Sequence, residues 1–146
     1  MGGAKSRELR QEMFPSEGGL KRKIHGSLSF YFRKRRLPFI YDQVLITAST
    51  RVLDVGGSFF FWKLAESCGL PVPRLTIVNI EYSTQNLWKD ATWVVADGRR
   101  LPFASKSFDL AFSNAVIEHL GTWPSQQALA SEVRRVAQCY LVQTPG

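Results

Sequence analysis

The run RVLDVGGS at residues 51–58 decides the fold. Its first five residues are short, mostly apolar and rich in valine, which reads as a buried strand. Gly56, Gly57 and Ser58 end that strand in a tight turn, and Phe59 to Ser67 reads as a helix stopped by Gly69 and Pro71. Working outward, LTIVNI at 75–80 is a second strand with Glu81 just past its end. Thr84 to Lys89 is a weak, short helix, and TWVVA at 92–96 is a third strand closed by Asp97 and Gly98. FDLAFS at 108–113 is a fourth strand, followed by Asn114. Ser125 to Ala137 is the best helix of the chain, with Leu129, Val133 and Val136 on one stripe. CYLVQ at 139–143 is a fifth strand, ended by Pro145.

Strands that are apolar throughout and alternate with helices indicate a parallel sheet covered on both faces. The expected fold class is α/β: a doubly wound, mostly parallel, Rossmann-like sheet with helices on both faces. In such sheets ligands sit beyond the carboxyl ends of the strands. Four successive strands deliver small or acidic residues to that rim: Asp54 to Ser58, Glu81, Asp97 with Gly98, and Ser113 with Asn114. The glycines let a ligand approach backbone N–H groups at a helix start. A carboxylate at the end of the second strand can accept from both hydroxyls of a ribose, and one strand further out from the exocyclic amine of a purine. Phosphate would be badly served by these carboxylates. A cationic, phosphate-free nucleoside would suit them.

Composition bounds the partners. The chain has 146 residues, enough for one domain, and a net charge of +7. Residues 1–50 hold 10 Lys/Arg against 4 Asp/Glu, and residues 51–146 hold 9 against 8. The basicity is therefore local, and a basic face serving specific nucleic-acid binding is not expected. Cys68 and Cys139 stand apart, without metal-ligand spacing, and read as reduced, buried small hydrophobes. No run approaches the roughly 18–20 apolar residues of a membrane span, and the N-terminus lacks the pattern of a signal peptide. The expectation is a soluble, cytoplasmic protein with no metal site.

Residues 1–19 read as a flexible leader. Leu20, Ile24, Leu28 and Tyr31 or Phe32 then recur at helical spacing among basic residues, marking 20–50 as a basic helical extension ahead of a domain at 51–146. Pro38 can open a second helix through Leu45 that buries Phe39, Ile40, Val44 and Leu45. Arg33, Lys34, Arg35 and Arg36 form a solvated helix end, with peripheral contact to anionic lipid headgroups or an acidic substrate as the sharper reading.

The stretches RVLDVGGS, NIEYS, VVADGRRLPFASKSFDLAFSNAVIEHL and YLVQTP together resemble a class I S-adenosylmethionine-dependent methyltransferase, closest to the bacterial type 11 group. The likeness covers about residues 51–146. It implies S-adenosylmethionine as cofactor. Asp54, Gly56, Gly57 and Ser58 then belong to the first motif, near the methionine part. Glu81 matches the ribose-binding acid, Asp97 and Gly98 the adenine segment, and Ser113 and Asn114 the strand end beside the methyl. That loop usually carries glycines where this chain has Ser58 and Phe60. The implied reaction is an in-line displacement from an activated sulfonium, so the protein mainly aligns the partners and excludes water. Glu118 and His119, just after the fourth strand, can serve as an acid/base pair for a hydroxyl or amine acceptor. The acceptor is read as a small molecule or a lipid- or sugar-linked one.

The family sheet has seven strands, and Gly146 follows the fifth, so the resemblance implies a truncated member. Its edge strand at 139–143 is then a template for self-association. The competing reading is a non-catalytic remnant that at most binds the cofactor. A nicotinamide-dependent oxidoreductase would need GxGxxG after the first strand, and GGSFFF lacks the later glycines.

Overall fold

The computed structural model describes residues 36–82, 88 and 90–144. The leader, most of the basic helix and Arg33 to Arg35 lie outside them, as does the weak helix at 84–89 apart from Trp88, which has no regular structure.

Five strands form one sheet: β1 (Arg51–Val55), β2 (Arg74–Asn79), β3 (Thr92–Val95), β4 (Phe108–Asn114) and β5 (Ala137–Gln143). Their order is β3-β2-β1-β4-β5, and every neighbouring pair is parallel. All carboxyl ends therefore reach one rim, and the order reverses on either side of β1. That switch point is where open α/β sheets leave a crevice for ligands. The helices are α1 (residues 36–44), α2 (Phe59–Ser67) and α3 (Trp123–Val136), with a 3₁₀ turn at Ile117–Leu120 before α3.

The local reasons are legible. Ser58 caps α2 by accepting from the Phe60 N–H at 3.4 Å. The helix ends when Gly69 takes φ +78°, with Gly69 N–H donating to Glu66 O and Leu70 N–H to Ala65 O, the paired bonds of a Schellman end. Thr122 caps α3, and Pro124 sits in its first turn. The helix then passes into β5 without a loop, so β5 begins at Ala137, two residues before the expected start.

The strands look apolar throughout, but their side chains divide by period 2. Val52, Leu75, Ile77, Leu110 and Phe112 face α1 and α2 in a largely aromatic layer with Tyr41, Phe59 and Trp62. Leu53, Val55, Val78 and Ala111 face α3 in an aliphatic layer with Leu101, Leu129, Val133 and Val136. Trp62 is fully buried, in edge-on contact with Phe61 at 5.0 Å and Phe112 at 5.7 Å. Each such ring pair contributes roughly 0.5–1.5 kcal/mol beyond its area.

Residues 36–146 cluster as one compact unit, with Leu37, Ile40, Tyr41 and Ile46 among its core residues. Two expectations are corrected. The face of α1 is different. Phe39 is 65% exposed and Leu45 76%, because the buried stripe is Leu37, Ile40 and Tyr41, and the helix ends in Leu45 at φ +48°. Cys139 is exposed, since β5 is an edge strand of the described sheet, and Cys68 is half-buried. Among the described residues no helix is long and apolar enough to cross a membrane.

Candidate functional site

The end of β1 forms the centre of the rim. Asp54 lies on the aromatic side of the sheet and is only 1% exposed. The Trp62 indole N–H, one turn into α2, donates to its Oδ2 at 2.8 Å, and its Oδ1 has no partner. Burial pushes this carboxyl up to about 7, against the opposing pull of the Trp62 hydrogen bond. Gly57 lies directly over it: a methyl group there would fall 2.1 Å from the carboxylate. Gly56 has φ +75°, donates its N–H to Val78 O at 2.7 Å, and leaves no space for a side chain beside Val116. Asn79, at the end of β2, donates from Nδ2 to Gly57 O at 3.1 Å. The glycine turn is thus pinned from the neighbouring strand.

The other expected residues reach the same rim in different states. Glu81 is exposed beyond β2, and its backbone carbonyl accepts from the Trp93 indole at 3.2 Å. Asp97 is gripped by Arg99: the guanidinium donates to Oδ2 at 2.6 Å, and the Arg99 backbone N–H to Oδ1 at 2.8 Å. Those hydrogen bonds hold Asp97 below the usual carboxylate range. Gly98 has no room for a side chain between Leu129 and Val55.

Beside β1, Ser113 is fully buried and donates its hydroxyl to Val55 O at 3.1 Å, a tie across the sheet. Asn114 is half-buried, and Ala115 follows at φ +58° with its N–H donating to Gln143 O at 2.8 Å. The 3₁₀ turn then parts Glu118 from His119. Both Glu118 oxygens are buried without a hydrogen-bond partner, whereas His119 is exposed. Successive residues of a 3₁₀ turn point about 120° apart, so the two rings of chemistry diverge. Ser58 uses its hydroxyl as a helix cap.

Among the described residues the buried side-chain oxygens without partners all belong to Asp54 and Glu118. They flank the contact of Gly56 with Val116, where the turns after β1 and β4 meet. Unsatisfied buried carboxylates are costly on their own and call for a cation or a hydrogen-bond donor. The Asp54 carboxylate fills the position that a side chain at 57 would take, so the turn over it requires glycine.

Residues 64–138, a little over half of the chain, match a family described as a methyltransferase domain. The chain belongs to this family. The cofactor of these methyltransferases is S-adenosylmethionine, whose amino-acid end carries an ammonium group, the kind of donor the unpartnered Asp54 oxygen lacks. The chain is also 31% identical over 132 residues to a biotin biosynthesis bifunctional protein of Cellvibrio japonicus, the match covering 88% of this chain and 24% of that protein. Among solved structures, a putative S-adenosylmethionine-dependent methyltransferase of Methanococcus maripaludis is 14% identical with a TM-score of 0.56, over 85% of this chain and 63% of the other. A putative methyltransferase from an antibiotic biosynthesis pathway of Anabaena variabilis is 15% identical with a TM-score of 0.56, over 71% and 41%. The chain thus spans about a quarter of the curated relative and less than two thirds of either structure.

Three contributors to the site were not singled out from sequence. Trp62 sits in an aromatic run that carries no motif, although a buried indole N–H needs an acceptor and Asp54 lies eight residues away. Arg99 follows Asp97 at a spacing suited to a local turn, and Asn79 ends a strand beside the glycines.

Proposed function

We propose that this chain binds S-adenosylmethionine and directs transfer of its methyl group to a protic acceptor. The observation that carries this reading is Asp54: a buried carboxylate at the end of β1 with one oxygen tied to Trp62 and the other unpartnered, packed so closely under the turn that only glycine fits at 57. Asp54, Gly56 and Gly57 would hold the amino-acid end, with Ser58 capping the helix that follows. Glu81 would take the ribose, Asp97 and Gly98 the adenine, and Ser113 and Asn114 would stand at the methyl.

The bound cofactor supplies a methyl already activated on a sulfonium. The protein's own task is alignment and exclusion of water. Glu118 accepts the proton from an acceptor O–H or N–H through its unpartnered oxygens, without His119, which faces solvent. Calorimetric titration with S-adenosylhomocysteine tests the binding half: saturable heat supports it, and none at millimolar ligand removes it. For the transfer half, Glu118→Gln lowers the rate of labelled-methyl transfer to a small protic acceptor by roughly a hundredfold or more.

A second reading is a non-catalytic remnant of the fold that at most binds the cofactor; Ser58 and Phe60, standing where the family's loop usually has glycines, weaken the hold on it, and this reading predicts weak titration heat or none and no labelled product. The acceptor is proposed to be a small molecule or a lipid- or sugar-linked one, and the relative named for biotin biosynthesis offers one class to try. Peripheral membrane contact through Arg33, Lys34, Arg35 and Arg36 is tested by co-sedimentation with anionic vesicles. Self-association through residues 139–143, where Cys139 and Tyr140 are exposed, is tested by light scattering.

A further inference from the structure

The segment after β3 carries Asp97 and Gly98, and its backbone is fastened to a single stripe of α3. Arg99 Nη1 donates to Ser125 Oγ at 3.2 Å, and Gly98 lies against Leu129. Leu101 N–H donates to Glu132 Oε2 at 2.7 Å. Arg135 donates from Nη1 to Phe103 O at 2.7 Å and from Nη2 to Leu101 O at 3.1 Å. Lys106 N–H donates to Arg135 O at 2.9 Å, where Lys106 takes φ +58°. Ser125, Leu129, Glu132 and Arg135 recur at helical spacing, so they line one face of α3.

Glu132 and Arg135 are also bonded to each other, with Nε to Oε1 at 2.6 Å and Nη2 to Oε2 at 2.8 Å. Each therefore orients the other while both hold the loop backbone. The pairing keeps Glu132 ionised, since the Arg135 hydrogen bonds draw its carboxyl below the ordinary range. A planar fork that serves two carbonyls and a carboxylate at once is something lysine cannot reproduce. A surface ion pair built only for stability would have no reason to hold loop carbonyls as well.

We infer that Glu132 and Arg135 are positioning residues for cofactor recognition: by clamping the backbone of Leu101 and Phe103 to α3, they set where Asp97 and Gly98 stand. The inference rests on the proposal that Asp97 and Gly98 hold adenine. It makes α3 a working part of the base pocket, although no α3 side chain need touch the ligand.

The test uses the full chain with Arg135→Lys and the isosteric Glu132→Gln. Binding of S-adenosylhomocysteine is compared with that of S-inosylhomocysteine, whose base has a carbonyl in place of the 6-amino group. Wild type prefers the adenosyl ligand by roughly tenfold, the worth of one hydrogen bond to a charged group. In folded variants that preference falls to within about threefold, while affinity for the inosyl ligand changes little. In hydrogen exchange, the amides of residues 98–103 speed up, while those of β1 and α2 do not. A preference kept intact in folded variants, or exchange rising evenly over the whole unit, overturns the inference. If wild type itself shows no preference, the adenine assignment fails by itself, and the exchange pattern still decides whether the clamp positions the loop.

Discussion

Asp54 and Asp97 stand at the ends of parallel strands on one rim, yet they are opposite kinds of carboxylate. Asp54 is sealed beneath a glycine turn with an indole N–H as its partner, and its proton is held more tightly for it. Asp97 is exposed, gripped by a guanidinium, and its proton is released more readily. The β1 end is built from the interior of the sheet. The β3 end is built from a loop fastened to a helix. Rigidity at the first comes from packing, and at the second from polar ties that substitution can cut singly.

The difference sets opposite pH dependences. Asp54 sits near 7 in the folded chain against an ordinary value near 3.8. Between about pH 4 and 7 the native state therefore holds a proton that the unfolded chain has lost, and stability falls as pH rises through that window. The slope is about 1.4 kcal/mol per pH unit, levelling off above the folded value. Asp54→Asn abolishes this part of the slope in denaturant unfolding and leaves the protein no less stable at pH 8. Asp97 works the other way. Its contribution is present above its unfolded value and is lost as pH falls through its lowered folded value.

Smaller effects sharpen the contrast. Trp62→Phe removes the donor to Asp54 and leaves volume unfilled, so it costs about 3 kcal/mol in unfolding free energy and raises the pH at which Asp54 titrates. Gly57→Ala forces the turn off Asp54 and costs about 2 kcal/mol, with loss of S-adenosylhomocysteine binding as the clearer readout. Arg99→Gln, at an exposed pair, shifts stability by less than about 1 kcal/mol. Equal losses at Trp62 and Arg99 would erase the distinction between the two ends.

The same contrast explains what could be read in the sequence. The parallel sheet and the shared rim followed from apolar runs alternating with helices, and the glycines marked the turn because the chain must bend sharply there; the strand order came only with the structure. Which side of each strand met which helix was not legible, since runs such as RVLDV and LTIVN are apolar on both sides and only the structure divides them. The α1 face was misjudged for a related reason: Phe39 and Leu45 are as apolar as Leu37 and Ile40, and helical phase alone decides which are covered. At the site, acidic residues were visible as residues, but their partners come from other elements. Ser113, expected at the strand end beside the methyl, donates its hydroxyl to Val55 O, and Glu118 and His119 looked like a pair until the 3₁₀ turn separated them.

The central claim is that Asp54 is a cofactor-holding carboxylate kept in reserve by burial. Titration with S-adenosylhomocysteine at about pH 6, in two buffers of different ionisation enthalpy, measures the protons exchanged on binding. The predicted result is release of close to one proton by wild type as the ligand's ammonium group stabilises the ionised form, and none by Asp54→Asn, which binds more weakly. Binding with equal proton exchange in both proteins, or no binding by wild type at millimolar ligand, would contradict it.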